Sequence, residues 1–353
     1  MNPDYAKFLK ASVGDRRDVI LGTSQRLGTA PQNVEKDFWV CWTLDALFNG
    51  LPTKAPRLLF KGGTSLSKGY NLIERFSEDV DVTVFRDDLG EDVSVEQLTG
   101  MSRKKREQKL DEIKAACQAY IARPLHNALD GNLQVALKEA GIANKEGRIE
   151  LDPDDADRQT LLFWYPSVTE RSNDYVRKAV KIESGAKSAL DPHELRTVTP
   201  YIDADLTAFE LAVPNVTIVQ PVRTFWDKII ILHGLRRWFD NRGALKGGGQ
   251  RVSRHYYDVH MLSAAGIADA ALDDEALGAD CVAHARLFFN RPDLDLEHAA
   301  PGTYSLTPSK EMLNPLRRDY DAMAGMIFGE VPSLDQVLAR VSELETRLNK
   351  TAP

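Results

Sequence analysis

Two short runs carry the residues that could do chemistry. Leu58-Leu59-Phe60-Lys61 is apolar and leads into Gly62-Gly63-Thr64-Ser65. After a stretch of helical character comes Arg75-Phe76-Ser77-Glu78-Asp79-Val80-Asp81-Val82-Thr83-Val84. Side chains alternate along a strand, so Asp79 and Asp81 share one face while Val80, Val82 and Val84 share the other. The two carboxylates then lie about 6–7 Å apart along the strand. Like charges that close are costly unless a cation lies between them. A hard divalent ion with oxygen ligands, Mg²⁺ or Mn²⁺, suits the pair, and Mg²⁺ normally completes its shell with water and substrate phosphates. Gly62 and Gly63 let the backbone approach closely, and Thr64 or Ser65 can cap the next helix. The N–H groups at that helix start form an anion site for a triphosphate tail. A phosphate cradle beside acids for a metal is the equipment of phosphoryl or nucleotidyl transfer from a nucleoside triphosphate. The run is not a Walker A loop, because no Gly-Lys-Ser/Thr follows at the required offset.

Further candidates lie downstream. Val180–Ser184 reads as a strand in which Lys181 and Glu183 share a face, with Ile182 opposite. A third carboxylate there could bind a second metal or activate an attacking hydroxyl; the plain alternative is an edge-strand salt bridge. Ser65 and Lys68 are placed to contact a triphosphate. Arg75 could do the same, or could brace the aspartate strand by pairing with a carboxylate. Asp227 and Lys228 fall in the first helix after Pro221. Arg254 and Asp258 are four apart on a helix, share a face, and in the plain reading make a surface ion pair.

These residues need a frame of strands and helices. Residues 1–50 read as helices, with Val34, Phe38, Cys41 and Trp42 at helical spacing, and Gly50-Leu51-Pro52 ends that segment. Strand 58–61, helix 64–74 and strand 79–85 follow. The stretch 87–100 is acidic and loop-like. Residues 102–140 read as long helices broken near Pro124 and Gly131, and 146–157 as a charged loop. Strands are expected at Arg158–Tyr165, Tyr175–Ser184, Arg196–Ile202 and Thr207–Leu211. Pro221 suits the first turn of a helix containing Phe225, Trp226, Ile229, Ile230 and Leu232. A Gly-rich loop at 243–251 precedes a helix at 253–264. Ser333 and Gln336 match a capping box before the apolar stripe Leu334, Val337, Leu338, Val341, Leu344 and Leu348. The pattern implies an α/β core over 1–220 and a helical domain over 221–353.

Composition narrows the class. The chain has 353 residues, 43% hydrophobic and 27% charged, as a folded protein of one large or two modest domains requires. No run of about 18 apolar residues suggests a membrane span, and the N-terminus lacks signal-peptide character. Cys41, Cys117 and Cys281 are scattered without metal-ligand spacing, which suits a reducing cytoplasm. A net charge of −7 gives no global attraction to nucleic acid, so RNA binding would need a local patch. Arg103-Lys104-Lys105-Arg106 reads as a solvated helix face. Arg236, Arg237, Arg242, Lys246, Arg251 and Arg254, around Gly247-Gly248-Gly249, form the better candidate for RNA or nucleotide.

Gly62-Gly63-Thr64-Ser65-Leu66, Arg75-Phe76-Ser77-Glu78-Asp79-Val80-Asp81, Lys181-Ile182-Glu183 and Arg254-His255-Tyr256-Tyr257-Asp258 together resemble the AbiEii-type nucleotidyltransferases. These are toxins of bacterial abortive-infection and toxin–antitoxin systems, with the MenT toxins as relatives. Glu35-Lys36-Asp37 fits the same pattern, and the resemblance spans about residues 33–262. The chain departs from it at His255, where many relatives carry Asp. The resemblance implies a polymerase-β-like mixed sheet with N-terminal helices and a C-terminal helical domain. It implies Mg²⁺ or Mn²⁺ on Asp79 and Asp81 with help from Glu183, and phosphates held by Gly62, Gly63, Thr64, Ser65, Lys68, Arg75, Lys181 and Arg254. It also implies that Lys228 reaches the phosphates and that Asp258 takes part in activity. The implied acceptor is the 3′ end of tRNA, whose modification would block translation, and the implied partner is a cognate antitoxin. The alternatives are nucleotidylation of a protein hydroxyl and a non-catalytic nucleotide-binding module.

Overall fold

The computed structural model describes residues 1–169, 177–208, 210–289 and 291–350. Residues 175–176 of the expected strand Tyr175–Ser184 and Phe209 of the expected strand Thr207–Leu211 lie outside them. The chain divides into two compact units, one of Met1–Asn71, Phe76–Val93 and Ser102–Val219, the other of Leu72–Arg75, Ser94–Met101 and the chain from Gln220 onward.

The first unit opens with helices α1 (Pro3–Lys10), α2 (Val13–Leu27) and α3 (Pro31–Asn49), continues with β1 (Leu58–Lys61), α4 (Gly62–Tyr70) and β2 (Asp79–Val84), and, after α5 (Val95–Gly100) of the second unit, resumes at α6 (Arg103–Tyr120) and α7 (His126–Ala140). Strands β3 (Arg148–Leu151), β4 (Thr160–Trp164), β5 (Ala179–Gly185), β6 (His193–Val198) and β7 (Val213–Val219) complete it. The seven strands form one mixed sheet in the order β3-β4-β5-β2-β1-β7-β6. β2 runs parallel to β5 and β1 parallel to β7, whereas the other neighbours are antiparallel. The fold is the mixed α/β class that the strand and helix pattern implies.

α3 is the central support of this sheet. It starts on a proline in its first turn, ends at Gly50, and is buried from Gln32 to Leu47. Trp39 meets Phe163 edge-on at 5.5 Å and stacks on Tyr165 at 5.6 Å. Such aromatic pairs add about 0.5–1.5 kcal/mol each beyond the area they bury. The same helix buries Glu35, Lys36 and Asp37. Asp37 pairs with Lys68 of α4 at 2.8 Å, and the Lys68 ammonium also sits 3.8 Å above the Tyr201 ring.

Several local expectations differ from the structure. α4 stops at Tyr70, because Asn71 takes the left-handed conformation, φ 52°, and closes the helix. The acidic stretch 87–100 contains a 3₁₀ turn at Asp87–Leu89 and the helix α5, whose Ser94 and Gln97 make a reciprocal capping box. The expected loop 146–157 contains β3, paired with β4. β7 was not anticipated, since Pro214 and Asn215, the latter at φ 59°, break its apolar alternation. Residues 207, 208, 210 and 211 are not strand. Gly131 lies inside α7 without breaking it, and Pro124 sits in a single π turn, Ile121–Leu125.

The second unit is helical: α8 (Pro221–Arg242), α9 (Ser253–Ala264), α10 (Ile267–Leu272), α11 (Glu275–Phe288), α12 (Lys310–Ala324) and α13 (Leu334–Lys350). α9 packs against α8, α10, α12 and α13. The Ser333–Gln336 box forms as anticipated, and Leu334, Val337, Val341, Leu344 and Leu348 are buried. Residues 72–75 join this unit through an isolated bridge between Arg75 and Ile327, beside a 2.8 Å bond from the Phe328 N–H to the Glu74 carbonyl. No helix among the described residues is long and apolar enough to cross a membrane.

The Asp37–Lys68 pair yields a stability prediction. Lys68→Met leaves the Asp37 carboxylate buried without its cation and is expected to cost about 3–5 kcal/mol in urea unfolding. The double variant Asp37→Leu with Lys68→Met is expected to recover most of that loss, whereas Lys7→Met in the exposed Asp4–Lys7 pair is expected to leave the unfolding midpoint nearly unchanged.

Candidate active site

In the first unit the site grows from three adjacent strands. β2 shows the alternation that its sequence dictates: Asp79 and Asp81 are half-buried, and Val80, Val82 and Val84 are fully enclosed. Asp81 lies opposite Lys61 of β1 on one side and Glu183 of β5 on the other, and Asp79 lies opposite Lys181. Three acids and two lysines therefore occupy one patch. Lys181 and Glu183 pair at 2.5 Å, both partly exposed. Burial pushes the Asp81 carboxyl up, to about 7; Lys61 opposes this, and the Glu183 and Asp79 carboxylates add to it. Burial pulls the Lys181 ammonium down, but Glu183 and then Asp79 outweigh it and hold the group above its ordinary value.

Gly62 is the bend that admits this arrangement. Its φ is +82°, and a Cβ there would lie 2.1 Å from Oδ2 of Asp81. Only glycine satisfies both conditions. α4 begins at this residue with no side chain capping its first turn. Its leading N–H groups are therefore the natural anion donors of the patch. The hydroxyls nearby are already committed: Thr64 Oγ1 donates to the Asp79 carbonyl and bonds Ser77 Oγ at 2.8 Å, and Ser65 Oγ donates to the Gly62 carbonyl at 2.9 Å. Thr64 thus braces the aspartate strand. Gly63 is buried within the same turn. Lys68, anticipated as a phosphate contact, is instead neutralised by Asp37 beneath the surface.

A divalent cation fits the donor set in a limited form. Among the described residues no three His, Cys, Asp or Glu side chains form a group that could hold an ion, so Asp79, Asp81 and Glu183 are not a preformed three-ligand centre. Glu183 is engaged by Lys181. Asp79 and Asp81 are hard oxygen donors beside a glycine cradle, and one or two carboxylates plus substrate phosphates is the usual magnesium set.

The second unit gathers a different cluster. Arg75 grips Asp258 with two bonds, Nε to Oδ1 at 2.8 Å and Nη2 to Oδ2 at 3.0 Å, and Lys228 Nζ reaches Oδ2 at 2.8 Å. All three are buried, Asp258 completely. Burial alone would raise the Asp258 carboxyl, but Arg75 and Lys228 hold it well below the usual range. Burial lowers the Lys228 ammonium despite Asp258, and Arg75 adds to the effect. Burial, then Lys228 and Arg254, drive His255 well below its ordinary value, so it is neutral. Its Nδ1 lies 3.2 Å from Lys228 Nζ. An ammonium can only donate, so Nδ1 accepts and the ring proton is on Nε2. Asp258 thus pairs with Arg75 and Lys228, and not with Arg254 as helical spacing suggests. Arg254 Nε is buried with no partner among the described residues.

The basic patch of 236–254 is largely satisfied within this unit. Arg236 pairs with Asp240, Arg237 with Asp295 and Arg242 with Asp293. Arg103, Lys104 and Lys105 are exposed at the start of α6, as a solvated face. Sequence reasoning gave no role to Lys61, although its place directly before Gly62 puts it beside Asp81, or to Lys36 and Asp37.

Known proteins supply an independent comparison. A family model described as "Nucleotidyl transferase AbiEii toxin, Type IV TA system" matches residues 45–340. Among solved structures, the chain is similar to MenT4, a nucleotidyltransferase toxin from Mycobacterium tuberculosis H37Rv, at 15% identity and a TM-score of 0.49, over 95% of this chain and 90% of that one. No curated protein gives a significant match.

The crowding at Gly62 and the elevated Asp81 carboxyl each make a prediction. Gly62→Ala is expected to destabilise more than Gly90→Ala in thermal melts; both have positive φ, but a Cβ at Gly90 meets nothing within 4 Å. A larger loss for Gly90→Ala would contradict the close approach. A carboxyl raised in the folded state contributes stability that is fully present below its unfolded value of 3.8 and is lost as pH rises through about 7. A bound cation offsets that loss, so Mn²⁺ is expected to raise the melting temperature more at pH 8 than at pH 5. Asp81→Asn is expected to flatten this dependence.

Proposed function

Since the chain belongs to the AbiEii family of nucleotidyltransferase toxins of type IV toxin–antitoxin systems, we propose that it transfers a nucleoside monophosphate from an NTP to the 3′-terminal hydroxyl of tRNA, with Mg²⁺ or Mn²⁺ held by Asp79 and Asp81. Family membership itself implies a cognate antitoxin. The observation that carries the metal-dependent reading is the close approach of Asp81 to Gly62, which sets a carboxylate pair against the uncapped start of α4.

Each residue then has a task. Asp79 and Asp81 would hold the divalent ion, which would supply Lewis-acid stabilisation of the negative charge that develops during transfer. The first N–H groups of α4 take the negative charge of the phosphates. Glu183, kept in place by Lys181, accepts the proton of the attacking hydroxyl. A new O–Pα bond forms, the Pα–O bond to the β-phosphate breaks, and pyrophosphate leaves. In the second unit Lys228 and Arg254 are the phosphate-binding candidates, with Arg75 and Asp258 fixing the Lys228 ammonium. The blocked tRNA end would halt translation, the basis of a growth-arrest or phage-defence role.

The family resemblance supports tRNA as acceptor. The pairing of Arg236, Arg237 and Arg242 with aspartates leaves little free positive charge around them, and that favours a second reading in which a protein hydroxyl is the acceptor. Incubation with labelled NTPs, Mg²⁺, total tRNA and cell protein separates the two. Label is expected in RNA, to fall to background in Asp79→Ala and Asp81→Ala, and to drop about 10²–10³-fold in Lys228→Met. Label in protein alone would select the second reading, and transfer that survives in both aspartate variants would sink the mechanism.

A further inference from the structure

Three successive charged residues of α3, Glu35, Lys36 and Asp37, are each 2% exposed. Successive helical residues point about 100° apart, so the three side chains leave the helix in different directions. Glu35 accepts bonds from the Val168 and Thr169 N–H groups and from the Ser167 and Thr169 hydroxyls. Asp37 holds Lys68 of α4 and accepts the Tyr201 N–H. Lys36 Nζ donates to Glu78 Oε2 at 2.7 Å and to the Arg177 carbonyl at 3.2 Å.

The two partners of Lys36 share a position in the fold. Glu78 directly precedes β2, and Arg177 stands two residues before β5. These strands are parallel neighbours, and from this end their register sets Asp79 beside Lys181 and Asp81 beside Glu183. One buried ammonium therefore ties together the starts of the two strands that present the carboxylates. Thr64 adds a second tie, from α4 to the Asp79 carbonyl.

We propose that Lys36 is a positioning residue, a clamp on the starts of β2 and β5 that fixes Asp79 and Asp81 for a divalent cation and its NTP and sets Glu183 beside them. The inference rests on the metal-dependent reading of the preceding section. Glu35 is the internal contrast, since it is equally buried and hydrogen-bonded yet its partners at 167–169 belong to neither strand.

The test is Mn²⁺ titration of the full chain followed by electron paramagnetic resonance, alongside thermal melts. Lys36→Met is expected to bind Mn²⁺ about 10–100-fold more weakly, the usual penalty for losing a group that orients metal ligands. Glu35→Gln is expected to melt earlier with unchanged Mn²⁺ affinity. The double variant Lys36→Met with Glu78→Met removes both charges, so it is expected to regain thermal stability while its Mn²⁺ binding stays weak. Recovery of both in the double variant, or wild-type affinity in folded Lys36→Met, overturns the clamp. A wild-type chain that binds no Mn²⁺ overturns the metal-dependent reading and the clamp together.

Discussion

Repulsion among carboxylates is the constraint around which the first unit is organised. Asp79, Asp81 and Glu183 stand on adjacent strands, with Lys61 and Lys181 as their register neighbours. The formal sum of that patch is one negative charge, and a divalent cation would turn it to one positive. A patch that changes sign on loading is suited to receive a triphosphate and poor at holding one without the ion. The Asp81 carboxyl is raised first by burial, against the opposing pull of Lys61, and the Glu183 and Asp79 carboxylates add their repulsion to it. Gly62 keeps the crowding tight, because any side chain there would push Asp81 away from the helix start.

Such a patch needs rigid backing, and α3 supplies it in an unusual manner. A helix enclosed on all sides would ordinarily carry only apolar residues. This one devotes three consecutive positions to charges that each meet a different segment of the unit. Buried ion pairs contribute little net stability, because desolvation cancels much of the attraction. Their gain is geometric. An ammonium between Glu78 and the Arg177 carbonyl tolerates one arrangement of two strand ends, whereas a leucine would accept many. The aromatic packing of Trp39 against Phe163 and Tyr165 supplies the non-directional part of the same support.

What the sequence disclosed depended on how local the signal was. β1, β2 and α9 were legible because alternation, glycine and helical spacing act within a few residues. The mixed α/β class followed from them. α4 was read four residues too long, since nothing local announces that Asn71 turns left-handed or that Arg75 bridges to Ile327. β7 hid behind Pro214 and Asn215, although it pairs with β1 at Ile218 and, across an irregularity between Arg196 and Val198, with β6. The capping box of α5 was present in Ser94 and Gln97 and was outweighed by the acidic residues around it. Side-chain partnerships were the least legible. Helical spacing pairs Asp258 with Arg254, yet Asp258 is taken by Arg75, 183 positions away, and Lys68 by Asp37. Proximity in sequence cannot rank such partners, because burial decides which cation must be neutralised.

The cluster of the second unit explains why histidine serves at position 255. Arg75, Lys228 and Arg254 bring three positive charges and Asp258 one negative, and a neutral His255 leaves the sum at two positive. An aspartate at this position would cut that sum to one and hold Lys228 more firmly. His255 instead accepts a Lys228 proton through Nδ1 without adding charge. Lys228 is thereby oriented but not neutralised, and burial together with Arg75 already lowers its hold on its proton. An incoming phosphate would restore that hold and be bound in return. Lys228 and Arg75 thus share the single carboxylate of Asp258, and the neutral histidine leaves that balance unchanged.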